Sequence, residues 1–360
     1  MSIIIFIIIL LILVLVHEAG HFFVAKKFGI RVDEFGFGFP PKLFGIKKGE
    51  TEYTFNALPL GGFVKIYGQD PDEENTNGPD SKRSFVNKPR WQQALVLFAG
   101  IFANFILAWF LIIGLYTFGT SIIFDETLPT KDMQNTQLVI ASVSSGTPAE
   151  KANLQSGDII SGMSYFDQSD SLSSNTPKKM TTFVRKSEGK TINFNIIRNN
   201  TPIIVTVTPL KQNENYVVGI SPTLEGYIKL RFPSAVIQGF HSTFVLVKET
   251  FQGIGGLLVG KESFNDVSGP VGMVGIVGSA MKMGFQYVIV FVALISINLA
   301  VINLIPFPAL DGGRLFFLLI EKIKGSRMNP KFANTANMVG FAILILLMVF
   351  VTYHDVVKLF

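Results

Sequence analysis

The sequence predicts a polytopic α-helical membrane protein of about four transmembrane helices, with a membrane-associated β-sheet and an inserted α/β domain. Composition is the first observation behind this fold class: 48% of the 360 residues are hydrophobic and only 16% are charged, which is low for a soluble chain. The second is the recurrence of apolar runs of about 20 residues, enough to span a bilayer as a helix. The third is a long polar stretch between the second and third runs, with the Gly and Pro turns typical of a soluble domain.

The first apolar run, residues 2–16, leads directly into the motif H-E-A-G-H at residues 17–21. On a helix, His17 and His21 stand one turn apart on the same face, so both imidazoles can bind one metal ion. Glu18 lies beside them, where it can act as a base toward an attacking water molecule. An ordinary surface helix is the alternative, but ionisable groups are costly inside a membrane span. No positive region precedes the run and no cleavage site follows it, so we do not expect a signal peptide.

Residues 29–70 are too rich in Gly and Pro to form a helix. Two stretches, 51–55 and 58–67, are typical of short strands bounded by turn residues. We expect a small sheet that lies on the membrane or dips into it beside the first helix, which requires a water-filled cavity or a protein wall there. An ordinary cytoplasmic hairpin is the alternative. A polar loop at 69–87 follows.

The second apolar run covers about residues 92–118 and follows a Lys, Arg and Trp cluster that is typical of a membrane interface. It contains Gly100 and Asn104. A buried Asn in a span commonly binds a neighbouring helix. Asn104 could also reach the metal site, and the sequence leaves both roles open.

The polar stretch at about 121–226 indicates a separate domain. Strand-like segments at 137–143, 191–197 and 203–209 indicate a small β-rich module. The run S-G-T-P-A-E-K-A-N-L-Q-S-G-D-I-I at 145–160 resembles the PDZ domain, and turn chemistry shared by any small β-barrel is the alternative. The pattern at 233–261 then predicts an amphipathic helix that lies against the membrane outside the cytoplasm.

The third apolar run, about residues 285–305, is followed by prolines that end the helix and by two glycines that permit a turn. Asp311 lies at this interruption, near the end of an apolar span. The remaining histidines, His241 and His354, lie in other settings. Asp311 is therefore the best third ligand for a catalytic zinc site with one position left for water. The alternative is that Asp311 caps the helix that follows.

Charge predicts the orientation of the chain. With a fourth span at about 336–353, the lysine pair at 26–27 and the basic loop at 322–331 fall on the same side. The positive-inside rule places both loops, and the metal site, toward the cytoplasm, with the N-terminus, the inserted domain and the C-terminus outside. The net charge of +5 is modest, so we expect no nucleic-acid partner. The absence of cysteine excludes thiolate metal ligands.

Together these motifs resemble the site-2 protease family of intramembrane zinc metalloproteases, in its RseP-like branch with a single PDZ domain. The match covers nearly the whole chain. It rests on H-E-A-G-H, on Gly100 with Asn104, on the PDZ-like insert, on S-G-P at 268–270 and on N-L-I-P-F-P-A-L-D-G-G at 303–313. Where the family often has Gly-Pro in the second span, this chain has Gly100-Ile101, which leaves the role of Asn104 open.

The resemblance implies a zinc cofactor (Zn2+) held by His17, His21 and Asp311. Glu18 would be the catalytic base of a metalloendopeptidase that cuts peptide bonds inside the membrane. The implied substrate-binding set comprises two amides of the third span and the strand beside the first helix, namely Asn303, Asn298, Leu60, Gly61, Gly62 and Phe63. The implied substrates are single-span membrane proteins that another protease has already trimmed, such as anti-sigma factors or signal-peptide remnants.

The expected location is the inner membrane of a bacterium, in contact with the lipid bilayer, and the sequence does not indicate an oligomeric state. A membrane-embedded PDZ adaptor with a structural or inactive metal site is the alternative function. A metal transporter is disfavoured because it would need polar residues along several spans. The expected segments begin with the first span (1–28), the sheet with its loop (29–90) and the second span (91–119). The extracytoplasmic PDZ-like α/β domain (120–226) and an extracytoplasmic amphipathic region (227–284) follow. The chain ends with the third span and a cytoplasmic segment (285–335) and with the last span and the tail (336–360).

Overall fold

The computed structural model describes the chain except for residues 71–72, 125–132, 145, 168–169, 173–175, 199, 213–214, 262–266 and 358–360. The described residues form two compact units, Met1–Gly114 with Val236–Phe360 and the inserted Leu115–Ala235. Each unit has apolar clusters of its own. Ser145 of the PDZ-like motif and the end of the predicted C-terminal tail lie outside the described residues.

The helices and strands follow in chain order. Before the insert they are α1 (Ser2–Lys27), β1 (Val32–Lys48), β2 (Thr51–Ile66), α2 (Glu73–Asn77), the 3-10 turns Ser81–Arg83 and Phe85–Asn87, and α3 (Arg90–Phe118). The insert contains β3 (Thr120–Phe124), β4 (Met133–Val143), α4 (Pro148–Lys151), β5 (Ile159–Tyr165), β6 (Ser171–Leu172), α5 (Pro177–Arg185), β7 (Ile192–Arg198), β8 (Thr201–Val207), β9 (Leu210–Gln212), β10 (Asn215–Val217) and β11 (Ile220–Ile228). After it come α6 (Phe232–Leu258), α7 (Pro270–Met283), α8 (Phe285–Leu304), α9 (Asp311–Lys324) and α10 (Pro330–Val357).

Within the described part of the chain, four helices, α1, α3, α8 and α10, are long and apolar enough to cross a membrane. They confirm the four predicted spans. The first span ends with Lys26 and Lys27, and the second begins at Arg90 beside the exposed Trp91. Basic and aromatic residues at helix ends are typical of the membrane interface. The chain is therefore a membrane protein with several spans.

The first and third spans pack together through a shorter helix, α7. Phe6, Ile9 and Leu13 of α1 form a buried cluster with Val277 of α7 and Phe291 of α8. The sequence predicted an extracytoplasmic amphipathic region over 227–284 and did not predict that α7 packs against two spans. The glycines of α7 have a low helix propensity, so its sequence does not indicate a helix. Whether that region lies outside the membrane stays a prediction.

Asp355 of α10 fixes the start of α7. Its carboxylate accepts hydrogen bonds from the N–H groups of Gly269 and Gly272 at 3.1 and 2.8 Å. The first N–H groups of a helix have no partner within the helix, and a carboxylate there is favoured by the helix dipole. A Cβ atom at Gly269 would overlap the Asp355 side chain, which explains why the S-G-P motif needs its glycine.

The sheet beside the first helix is formed by β1 and β2, which pair antiparallel except where residues 34–37 and 52–55 run in the same direction. The register divides each strand into two paired segments: residues 34–37 pair with 62–65 and, on their other side, with 52–55, while residues 42–48 pair with 51–56. Among the described residues, 62–66 pair on one side only. They form an outer edge of the sheet.

One half of this sheet packs on α1 and the other half is exposed. Phe22 and Ala25 of α1 form a buried cluster with Val32, Phe35 and Ile66 of the strands. The other half exposes large apolar side chains, among them Leu43, Phe44, Ile46 and Leu58. Exposed apolar surface of this kind is typical of a partner or membrane contact. The predicted sheet is confirmed, and its association with the membrane stays a prediction.

The insert is built around a seven-stranded sheet in the order β3-β11-β4-β5-β7-β8, with β6 paired to β5. Ile140, Phe194 and Phe183 belong to its core. Buried Asp158 accepts two hydrogen bonds from Arg198, at 2.7 and 2.6 Å. The three predicted strands correspond to β4, β7 and β8, so the α/β module is confirmed. Its assignment as a PDZ domain stays a prediction.

Candidate metal centre

Three side chains that the sequence singled out as metal ligands converge between α1 and the start of α9. His17 Nε2 lies 2.9 Å from Asp311 Oδ2. His21 Nε2 lies 3.1 Å from His17 Nε2 and 3.2 Å from Asp311 Oδ2. Both imidazoles are buried. Among the described residues, these three form the one cluster of His and acidic groups compact enough to hold a metal ion.

A sharp turn brings Asp311 to the two histidines. The α8 helix ends at Leu304, and the following residues wind back so that Asp311 is the first residue of α9. Ala309 adopts a positive φ of 75° in this turn, and its N–H donates to Asn337 Oδ1 of α10. A Cβ atom at Gly312 would overlap the Ile305 carbonyl oxygen, so the turn requires glycine there. The fourth span thus helps to fix the third metal ligand.

The arrangement fits zinc. Bonds of about 2.0–2.2 Å from a tetrahedral ion place neighbouring donor atoms roughly 3.3 Å apart. The separations between the two imidazole nitrogens and the carboxylate oxygen, 2.9 to 3.2 Å, are close to that value. Two His and one carboxylate are a donor set of catalytic zinc sites, in which the fourth position remains for water.

Two polar groups of α3 orient the imidazoles. His21 Nδ1 donates to the Val96 carbonyl oxygen at 2.8 Å, which leaves Nε2 free for a metal. His17 Nδ1 lies 3.4 Å from the Asn104 amide nitrogen, and the Asn104 amide oxygen has no hydrogen-bond partner among the described residues. A metal on His17 Nε2 leaves the proton on Nδ1, which then needs an acceptor. A half-turn of the Asn104 amide would place its oxygen there and satisfy both groups.

Two glycines allow α3 to approach this closely. A Cβ atom at Gly100 would overlap the His21 ring, and one at Gly20 would overlap the Ala99 carbonyl oxygen. Gly100 and Asn104 are four residues apart and therefore lie on the same face of α3. The glycine makes room for one histidine and the amide reaches the other. Whether Asn104 orients His17 stays a prediction.

Glu18 lies in the same cavity, which has a volume of about 390 Å³. One of its carboxylate oxygens, Oε2, accepts a hydrogen bond of 3.1 Å from the N–H of Val64 in β2. The cavity is lined by the three ligands, Glu18 and a mixed set of neighbours: Val14, Phe63, Val64, Gln69, Leu299, Asn303, Ala309 and Arg314. A carboxylate beside three metal ligands in one open cavity can serve as a general base.

The predicted substrate-binding residues fall in different places. Asn303 and Phe63 line the cavity, and Gly61 and Gly62 are buried in β2 next to them. Leu60 belongs to β2, but its side chain lies outside the described residues. Asn298 is not part of the cavity lining, and its Oδ1 accepts a hydrogen bond of 2.9 Å from Thr250 of α6. A substrate role for these residues stays a prediction.

Arg314 and Val64 are site residues that sequence reasoning missed. Arg314 lies one turn after Asp311 on α9, and its Nη2 is 3.3 Å from Asp70. Arg314 is three residues after Asp311, and this spacing places the two side chains on the same face of a helix, which could have indicated that Arg314 is near the site. Val64 acts through its backbone N–H, which leaves no trace in the sequence.

The site defines a class of protein: a metal-dependent hydrolase with two of its three candidate metal ligands, and its candidate general base, on a membrane-spanning helix. The family model for peptidase family M50 matches residues 5–347. Zinc metalloprotease RasP of Shouchella clausii is 31% identical over 99% of this chain and 98% of its own length. RasP of Geobacillus kaustophilus is 30% identical over 100% of this chain and 98% of its own length. A Clostridium perfringens protein, named provisionally as a zinc metalloprotease, is 37% identical over 96% of this chain and 95% of its own length.

The chain belongs to peptidase family M50, the site-2 protease family. It is a membrane zinc metalloprotease. The recognition of the family, the enzyme class and the zinc cofactor from sequence is confirmed.

Gly100→Ala should lower the affinity for zinc about 10- to 100-fold, because overpacking at His21 costs about 1–3 kcal/mol. Affinity is measured by competition with a chelator on the purified protein. Gly114→Ala on the same helix is the matched control, since a Cβ atom there meets no neighbour within 4 Å. Equal affinities for the two variants would contradict the packing of α3 on the metal site.

Asn104→Leu should also weaken zinc binding, by about 10- to 100-fold, because it removes the acceptor for His17 Nδ1. Asn104→Asp keeps an oxygen acceptor and should retain most of the affinity in the same competition assay. If the Leu and Asp variants bind zinc alike, Asn104 does not orient His17.

Proposed function

We propose that this protease hydrolyses peptide bonds within transmembrane segments of other membrane proteins. The observation that carries the proposal is the position of the site. Glu18 and two of the three metal ligands belong to α1, the most apolar of the four spans, and share one cavity with an outer edge of a β-sheet. A site built into spans favours substrates that are themselves in the membrane.

Glu18 is the residue that would move protons. Bound zinc would supply a Lewis acid that lowers the pKa of water and polarises a carbonyl group. Glu18 would take a proton from the attacking water and pass it to the leaving amine. Asn303 lines the same cavity and would hold the substrate chain there with its amide.

The sheet edge at 62–66 would bind the substrate in an extended form. The carbonyl groups of an intact helix are hydrogen-bonded and covered by side chains, so the scissile bond becomes accessible only after local unwinding. Pairing with a free strand edge replaces the lost hydrogen bonds. Phe63, Val64 and Gln69 line both the catalytic cavity and a neighbouring cavity of about 560 Å³, which supports a continuous groove along this edge.

We expect the chain in a bacterial inner membrane with the metal site toward the cytoplasm. The basic residues that follow the first and third spans support this orientation. With four spans, the N-terminus, the insert and the C-terminus would then lie outside.

The insert would act as a PDZ domain that restricts access. Outside the membrane it would exclude substrates that carry a large domain and admit single-span stubs already trimmed by another protease. Anti-sigma factors and signal-peptide remnants belong to this substrate class.

Replacing Glu18 by Gln tests the proposed activity, because it removes the base and keeps the shape. Cleavage of a tagged single-span protein in membranes should fall at least about 1,000-fold, while zinc content stays at the wild-type level. Equal cleavage by the variant would exclude this mechanism. Absence of cleavage by both proteins, with zinc bound, would contradict cleavage within transmembrane segments.

Deleting the insert tests its role as a filter. The N–H of Leu230 donates to the Tyr116 carbonyl oxygen at 2.8 Å, so the two ends of the insert are close enough for a short Gly/Ser linker. The linker variant should cleave a substrate with a folded outer domain about as fast as a trimmed one, whereas the full chain should cleave only the trimmed one. Rejection of the large substrate by the linker variant, with the trimmed one still cleaved, would contradict a filter.

A further inference from the structure

We propose that the substrate strand itself releases the catalytic base, because Glu18 and the substrate compete for the N–H of Val64. In the structure Glu18 Oε2 accepts this N–H at 3.1 Å. A substrate strand that pairs with the sheet edge would take the same donor. This inference rests on the proposed function and adds a step of activation to it.

Val64 points its N–H away from the sheet. Along a strand, successive N–H groups point to opposite sides. The N–H of Tyr67 donates inward to the Arg31 carbonyl oxygen at 3.0 Å, so residues 63 and 65 have the inward orientation and residues 64 and 66 the outward one. Acceptance of the Val64 N–H by Glu18 of α1 agrees with this alternation.

The outward groups of 62–66 are those that an added strand must use. Such a strand gains affinity from main-chain hydrogen bonds to the N–H and C=O groups of the free edge. Val64 lies in the middle of that edge and lines the catalytic cavity. A substrate that passes the metal ligands along the edge therefore meets a donor that the base already occupies.

The exchange has a consequence for catalysis. While it is bonded to Val64, the Oε2 atom of Glu18 is held toward the sheet, and the hydrogen bond occupies a lone pair of this oxygen. Once the substrate carbonyl takes the N–H, the carboxylate loses this partner and is free to turn toward the attacking water. The base thus becomes competent when a strand is in place, which limits hydrolysis of chains that do not pair with the edge.

Binding measurements on two inactive variants test the competition. The probe is a fluorescent single-span peptide that the wild type cleaves, and its affinity is measured in lipid nanodiscs with the zinc-loaded variants. Glu18→Ala frees the Val64 N–H, whereas Glu18→Gln keeps an oxygen that can accept it. The Ala variant should bind the peptide roughly tenfold more tightly than the Gln variant.

A second change separates the effect of the Val64 N–H on peptide affinity from the effect of the larger cavity in Glu18→Ala. Incorporating the α-hydroxy analogue of valine at position 64 converts that amide to an ester and removes only the N–H. In the ester proteins the tenfold difference between Ala and Gln should disappear, as in a double-mutant cycle. Equal or weaker binding by Glu18→Ala in the amide proteins, or a difference that survives in the esters, would overturn the inference. Failure of the wild type to cleave any single-span probe would instead overturn the proposed function.

Discussion

The structure depends on the need to satisfy four ionisable side chains among apolar helices. An unpaired polar group in the hydrocarbon layer is costly, so each must find a partner inside the protein. His21 binds the Val96 carbonyl, His17 lies against Asn104, Glu18 accepts from Val64, and Asp311 contacts both histidines. Each partner comes from a different segment of the chain than the residue it serves.

This requirement explains features that are remote from the chemistry. Gly20 and Gly100 bring α3 close enough for its carbonyl and amide to reach the imidazoles. Asn337 of α10 holds the turn before Asp311 through the Ala309 N–H. Asp355 fixes α7, which packs between the first and third spans. The same scaffold places an outer sheet edge beside the candidate metal ligands, where we propose that an extended chain binds.

The candidate metal ligands and the candidate base could be singled out because their spacing is local or because few alternatives exist, and their roles stay predictions. The H-E-A-G-H motif specifies its own geometry, and Asp311 was the remaining candidate in an apolar span. The role of Asn104 could not be predicted, since it depends on how two helices dock. Asn298 and Asn303 are close in sequence but lie on different sides of α8. Five residues along a helix correspond to a rotation of about 140°, so Asn298 faces α6 while Asn303 faces the cavity.

The sheet and α7 show what the sequence does not contain. The sequence predicted the strands at 51–55 and 58–67 but not that they pair on either side of β1. That pairing depends on the register between segments that are distant in the chain. The glycines that lower the helix propensity of α7 are compensated by packing against two spans. Val64 contributes through its backbone, and no side-chain pattern could indicate its role.

The most direct test of the account is the coordination of zinc in the purified protein, measured by X-ray absorption at the zinc edge. The account predicts two imidazole nitrogens and a carboxylate oxygen at about 2.0–2.2 Å in the wild type. In Asp311→Ala, zinc should be lost or its oxygen shell altered, with the imidazole signal weakened. An unchanged spectrum and an unchanged zinc content in Asp311→Ala would contradict the claim that α1 and α9 share one metal ion.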